Sequence, residues 1–278
     1  QNTNVSLEFN YCGTTVTIPF NSIASNYPNG TQFYNSYPVT SSTTEYTSSN
    51  PFPNGIGTNI YYAVPPNSNG CHYRFSIVID DIPTITSPAS STINGCGTGA
   101  ITTLPFSTTP VTITLQDFIN IGGSVSNNAL SYTITYVDVI SGTCPTVVNR
   151  NYTVSTSCIT VNLNQVFTIE LTDFTLPANT SSTVACAADI VAPSVPVVTD
   201  NCGNVLVASA PVVSASPTCE GNVTYTYTFT DCEGNAHNWV HTFTIENNDF
   251  TLPANTASTV ACAADIVAPS VPVVTDNC

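Results

Sequence analysis

The chain contains no lysine and no methionine, and its 278 residues include only two basic side chains, Arg74 and Arg150. Against 17 carboxylates this leaves a formal net charge of −15. A surface so short of cations repels a phosphate backbone, which excludes nucleic acid as a partner. It repels anionic lipid headgroups for the same reason. No apolar run approaches the roughly 20 residues of a membrane helix, so no membrane insertion is expected. The scarcity of His, Lys and Arg also bears on catalysis. No Ser-His-Asp order has its members in plausible loops, and the expectation is a protein that is not an enzyme.

Eleven cysteines are present, without one Cys-x-x-Cys pair. That absence argues against zinc and against a thioredoxin-like redox site. Cysteines in such number suit an oxidising compartment, where disulfides supplement the limited cores of small domains. An extracellular or cell-surface location follows as the expectation.

Internal identity organises the chain. Residues 173–202 and 249–278 are the same 30-residue sequence, differing only where Ser181 corresponds to Ala257. The offset is 76 residues (249 − 173), a length that suits a small β-sandwich. A second marker recurs at Phe75-Ser-Ile77, Phe167-Thr-Ile169 and Phe243-Thr-Ile245, which read as the last strands of three consecutive domains. The expected organisation is 1–81, 82–172, 173–248 and the start of a further, incomplete repeat at 249–278. Periodicity within these limits is two. Val223, Tyr225, Tyr227 and Phe229 face one way, with threonines between them, and Leu130, Tyr132, Ile134 and Tyr136 repeat the pattern. Alternation of this kind marks antiparallel strands with one buried face. No convincing amphipathic helix is found. The fold expected is all-β: tandem immunoglobulin-like β-sandwiches in an elongated array.

The motifs FTLPA, VACAAD, VTDNCGN and YTYTFTDCEGNAHNWVHTFTIE between residues 174 and 246 resemble hyalin-repeat-like (HYR-like) domains of long surface proteins in Bacteroidota. Residues 131–154 are similar to a sibling of these domains, and residues 1–81, with NGCHYRFSIVID, to a more distant Ig-like relative. The resemblance implies export, through the type IX system, and a part in surface adhesion of the gliding-adhesin kind. Three functions fit such a chain: a disulfide-stapled stalk or filament, a building block of a polymeric fibre, or a carbohydrate-binding array attached to a secreted enzyme. Its partners would be neighbouring repeats, copies of itself or surface glycans.

The candidate disulfides involve Cys12, Cys71, Cys96, Cys144, Cys158, Cys186, Cys202, Cys219 and Cys232. If residues 195–202 and 223–232 are parallel-running strands, Cys202 and Cys232 share one end of the sandwich and Cys186 and Cys219 the other. Pairing 186–219 with 202–232 is then preferred over local pairing 186–202 with 219–232. Cys12 and Cys71 are the pair offered by residues 1–81. Cys96, Cys144 and Cys158 are odd in number and leave one thiol over. Asp200, Asn201, Asp231 and Glu233 bring oxygen atoms to one end, where calcium is the cofactor for which there is room, although ordinary turns use the same residues. Tyr34, Tyr37 and Tyr46, in the polar stretch 21–58, form a candidate sugar-binding surface or tie down a long loop. His237, Trp239 and His241 alternate along a strand, too far apart to share a metal, and read as a core tryptophan between partly exposed histidines.

Overall fold

The computed structural model describes residues 6–276 and residue 278. It is built from strands, with two short helices and three single turns of tighter helix. The first sheet is formed by β1 (Leu7–Cys12), β2 (Gln32–Tyr34), β3 (Glu45–Tyr46), β4 (Gly57–Val64) and β5 (Tyr73–Asp80), in the order β1-β5-β4-β2-β3. Alternation works here as the sequence implies: Phe75, Ile77 and Ile79 of β5 are fully buried while the residues between them are not. Around them pack Ile23, Phe33, Phe52 and Tyr61. Each such side chain contributes about 1.5–3 kcal/mol on burial. The helix α1 (Phe20–Ala24) caps this core through Ile23.

The next strands are β6 (Ile85–Thr86), β7 (Ser91–Asn94), β8 (Val111–Ile113), β9 (Ser124–Val125), β10 (Thr133–Ile140), β11 (Thr146–Ser155) and β12 (Thr160–Glu170). A second sheet has the order β7-β12-β11-β10-β8, and β6 pairs with β9. The helix α2 (Leu115–Asn120) is started by a capping box in which Thr114 and Asp117 each bond the other's backbone N–H. One turn and a half is too short to register as a periodic pattern, which is why sequence periodicity missed it. Its Phe118 packs among Ile134, Tyr136, Tyr152 and Val154. In the same sheet Arg150 is buried, its Nε 2.8 Å from Asp138 Oδ1 and its guanidinium 4.3 Å from the centre of the Tyr136 ring.

The third sheet is β13 (Thr180–Val184), β16 (Val212–Val213), β17 (Gly221–Thr230) and β18 (Ala236–Ile245), in the order β13-β18-β17-β16; β14 (Val198–Thr199) and β15 (Val205–Leu206) form a separate pair. Trp239 of β18 is buried with Phe174, Val198, Tyr227 and Phe229, and its indole N–H donates to Ala178 O at 3.1 Å. His237 and His241 flank it, bonded to Asp173 and to Thr180 and Ser182 respectively. In residues 249–278 the positions that β17 and β18 cover in the complete repeat stand open: Phe250 is 56% exposed where Phe174 is 2%.

In the first and third sheets the first strand lies parallel to the last, Leu7 opposite Phe75 and Val184 opposite Ile245. The chain therefore enters each of these sheets at one end and leaves at the other. Two compact units are present: residues 1–91, 101–141 and 147–167 form one, and residues 92–100, 142–146 and 168–278 the other. No helix among the described residues is long and apolar enough to cross a membrane.

Candidate functional site

Cysteines sit at the ends of the sheets, at positions set by the strands beside them. In the third sheet Cys186 follows the end of β13 by two residues, and Cys219 precedes β17 by two. Val184 and Gly221 are both opposite Ile245 of the intervening β18, so the two cysteines share one end. Cys202 and Cys232 lie in the turns β14–β15 and β17–β18, at the other end.

The two turns are one structure used twice. Thr199-Asp200-Asn201-Cys202-Gly203-Asn204 and Thr230-Asp231-Cys232-Glu233-Gly234-Asn235 share the pattern Thr-Asp-x-x-Gly-Asn. Asp200 Oδ1 accepts from the N–H of Cys202 and of Asn204, and its Oδ2 from Asn204 Nδ2. Asp231 accepts in the same way from Glu233, Asn235 and the Asn235 side chain. Gly203 and Gly234 close the turns at φ of +84° and +93°, where a side chain is strained. The Asn204 side chain, aided by backbone N–H groups, holds the Asp200 carboxyl below the usual range. For Asp231 burial acts upward, and the Asn235 side chain and three backbone N–H groups outweigh it, so the net shift is again downward.

Both turns also grip the segment leading into the repeat. Asn201 Nδ2 donates to the carbonyls of Thr172 and Asp173, and Glu233 accepts from the N–H of Leu171. These contacts occupy the residues that the sequence offers to calcium. Asp200, Asp231 and Glu233 are engaged by N–H donors, Asn201 by backbone carbonyls. Among the described residues no group of three His, Cys, Asp or Glu side chains gathers around a point that could hold a metal ion.

The disulfides are Cys12–Cys158, Cys96–Cys202, Cys144–Cys232 and Cys186–Cys278, with Cα separations of 5.5, 5.4, 5.9 and 5.6 Å. None of the pairings favoured by the sequence is present. The placement of Cys202 with Cys232 and of Cys186 with Cys219 at shared ends holds; the bonding between them does not. The reason is strand spacing. Cys186 and Cys219 leave from β13 and β17, which flank β18, so about 10 Å separates their strands. A disulfide spans no more than about 7 Å between Cα atoms. Cys202 and Cys232 leave from turns of different sheets, and sheets packed face to face lie about 10 Å apart. Cys186, Cys202 and Cys232 bond instead to cysteines contributed by the preceding or following stretch of chain, and Cys219 bonds to none.

The second sheet repeats the plan. Cys96 follows β7 by two residues and Cys144 precedes β11 by two, as Cys186 and Cys219 do in the third sheet. These are the cysteines that receive Cys202 and Cys232. Cys158, in the β11–β12 turn, is bonded to Cys12 at the end of β1, beside a hydrogen bond of 2.5 Å from Ser157 Oγ to Asp80. Cys71, Cys219 and Cys262 are free and exposed. Cys12 and Cys71 are therefore not a pair, and the thiol left over does not lie among Cys96, Cys144 and Cys158.

The tyrosines are placed otherwise than a sugar-binding surface requires. Tyr34 and Tyr46 are each 8% exposed, on strands β2 and β3 within what reads in sequence as one long polar stretch. Tyr37 donates its hydroxyl to Gly70 O at 2.7 Å and stacks on His72 at 3.9 Å. Asn204, Asn235, Gly203 and Gly234 were not singled out by sequence reasoning; the doubled Thr-Asp-x-x-Gly-Asn pattern is the signal that finds them.

Residues 174–245 match the model of the HYR-like domain with 4 cysteines. Within the matched residues the four cysteines are Cys186, Cys202, Cys219 and Cys232, two at each end. No curated protein matches the chain in sequence. Among solved structures, the protocadherin gammaB4 extracellular domain is similar at a TM-score of 0.26 and 9% identity, over 88% of this chain and 49% of that one. Immunoglobulin domains 1–5 of sidekick-1 are similar at 0.25 and 13% identity, over 77% and 51%. An endo-fucoidan hydrolase of glycoside hydrolase family 107 is similar at 0.19 and 9% identity, over 78% and 39%. The chain thus spans about half of the protocadherin or less of the hydrolase, and no function follows from likenesses of this size.

Proposed function

We propose that the chain is a segment of an extracellular structural or adhesive protein, a stalk whose repeats are joined covalently end to end. One observation carries this reading: no disulfide has both its cysteines inside residues 173–248, and the bonded cysteines of that repeat all reach outside it. Disulfides that served only to stabilise a small core would close within it. Bonds placed between successive segments resist separation and rotation instead. The parallel first and last strands support the same reading, because tension applied along the chain meets β13 and β18 in shear, with all their hydrogen bonds loaded together. The stalk would stand on a cell surface reached by type IX export, a reading supported by the resemblance of residues 173–248 to HYR-like repeats of Bacteroidota surface proteins. The burial of Tyr34 and Tyr46 disfavours the sugar-binding alternative. Small-angle scattering of the oxidised chain tests the proposal. A rod on the order of 130 Å is expected from strands of about eight residues at ~3.3 Å each in successive domains; a compact globule would overturn it.

A further inference from the structure

Cys219 is exposed and unbonded, yet two independent features define what belongs on it. The first is its counterpart. Cys144 holds the same place, two residues before the hairpin strand of its sheet, and is bonded to the hairpin-turn cysteine Cys232. The second is its neighbour at the same end of the repeat. Cys186 is bonded to Cys278, which stands 76 residues after Cys202 in the identical sequence Val-Thr-Asp-Asn-Cys. Cys96–Cys202 and Cys186–Cys278 are thus the same bond at successive places. At the first of them a second bond, Cys144–Cys232, stands alongside. At the second, Cys219 stands where that companion would begin. Gly221, two residues on, has a φ of +149°, and a Cβ there would stand 3.1 Å from Pro217, so this turn accepts only glycine without strain.

We infer that the end of the repeat bearing Cys186 and Cys219 is a two-cysteine socket for a further HYR-like domain, and that Cys219 bonds the hairpin-turn cysteine of that domain, at the position held here by Cys232. The partner is recognised by its chemistry: two Asp-braced turns of the Thr-Asp-x-x-Gly-Asn kind, each presenting one cysteine. Strands two apart place the socket cysteines about 10 Å from each other, and turns of two stacked sheets place the plug cysteines at a similar spacing. Bond formation removes one proton and one electron from each thiol. An external disulfide, such as oxidised glutathione, accepts them and leaves as two thiols. Two bonds set apart in this way stop rotation about the junction, which one bond leaves free. The inference rests on the end-to-end reading above and adds to it the partner of a particular thiol.

The test is a chain lengthened after Cys278 by a second copy of residues 203–248, which completes the further domain. It is oxidised in a glutathione buffer and compared with the present chain by thiol counting and by peptide mapping without reduction. Cys219 should leave the reactive set and be recovered bonded to the added hairpin-turn cysteine. The number of free thiols should stay at the present three, since the added copy brings one new unpaired cysteine of its own as Cys219 is consumed. Replacing Cys219→Ser in the lengthened chain should release the added turn cysteine as a reactive thiol, with Trp239 fluorescence unchanged. If Cys219 stays reactive in the lengthened chain while Cys186–Cys278 is intact, the socket is wrong and the end-to-end reading stands. A Cys186–Cys219 bond in the map would overturn both.

Discussion

At the residue scale, the acidic side chains that look like ligands act as braces. Asp200 and Asp231 each collect three N–H donors within one turn, and both carboxyl groups are shifted downward as a result. A carboxyl with a lowered folded pKa contributes stability above its unfolded value, about 3.9, and loses it as pH falls through the folded value. Thermal midpoints should therefore be level between pH 7 and pH 5 and fall below about pH 4. In an Asp200→Asn, Asp231→Asn double variant the midpoint at pH 7 should be lower and the acid drop smaller; an unchanged drop would mean that other carboxylates set it. The buried pair Asp138–Arg150 makes a second case. Arg150 donates to both Asp138 oxygens and to the carbonyl of Leu104, and it lies over Tyr136. Burial works against its charge, and the bonds to Asp138 more than offset this, leaving its pKa raised. Arg150→Ala strands a carboxylate in the core and should cost about 3–5 kcal/mol in urea unfolding, whereas replacing both partners by apolar residues should cost far less.

At the scale of elements, the strands were legible and the bonds between cysteines were not. Alternation marked β5, β10, β12 and β17, and the Phe-x-Ile markers fall in β5, β12 and β18. The parallel course of first and last strands also followed from the sandwich pattern. β2 and β3 were hidden because Tyr34 and Tyr46 sit among Asn, Ser and Thr, which read as loop. The disulfides eluded the sequence for a different reason. A shared end of a sandwich reads in sequence as sufficient for bonding, whereas cysteines leaving strands two apart, or leaving two stacked sheets, start about 10 Å from each other. This changes what a reductant should do. Each bond closes a loop of 88 to 146 residues and restrains the unfolded chain by about 4–5 kcal/mol in the chain-entropy model. None of those loops lies inside residues 173–248, whose core is built by Phe174, Val198, Tyr227, Phe229 and Trp239, with Val223, Phe243 and Ile245 at the other end. Reduction at room temperature should lower the urea midpoint of the whole chain while Trp239, the only tryptophan, keeps the emission of a buried indole. A shift to the emission of exposed tryptophan in native buffer would mean that the bonds hold up the cores themselves.

At the scale of the whole molecule, the connectivity sets how far the chain can be drawn out. A covalent path runs from Cys12 through its disulfide to Cys158, along the backbone to Cys186, and through the next disulfide to Cys278. The loops of 146 and 92 residues are bypassed. Much of the backbone on that path is β12 and β13, already extended in the fold. Tension would thus pass along a short covalent route of strand and sulfur, and domains whose cores failed could not unravel into a long thread. For a stalk this is the property that matters most, and single-molecule pulling between the chain's two ends reads it directly. At ~3.3–3.6 Å per residue, the oxidised chain should reach no more than about 110 Å between Cys12 and Cys278 even with every sheet broken. The same molecule in reductant should extend to roughly 900 Å. An oxidised chain that lengthens by several hundred ångströms would contradict the end-to-end connectivity and the stalk built on it.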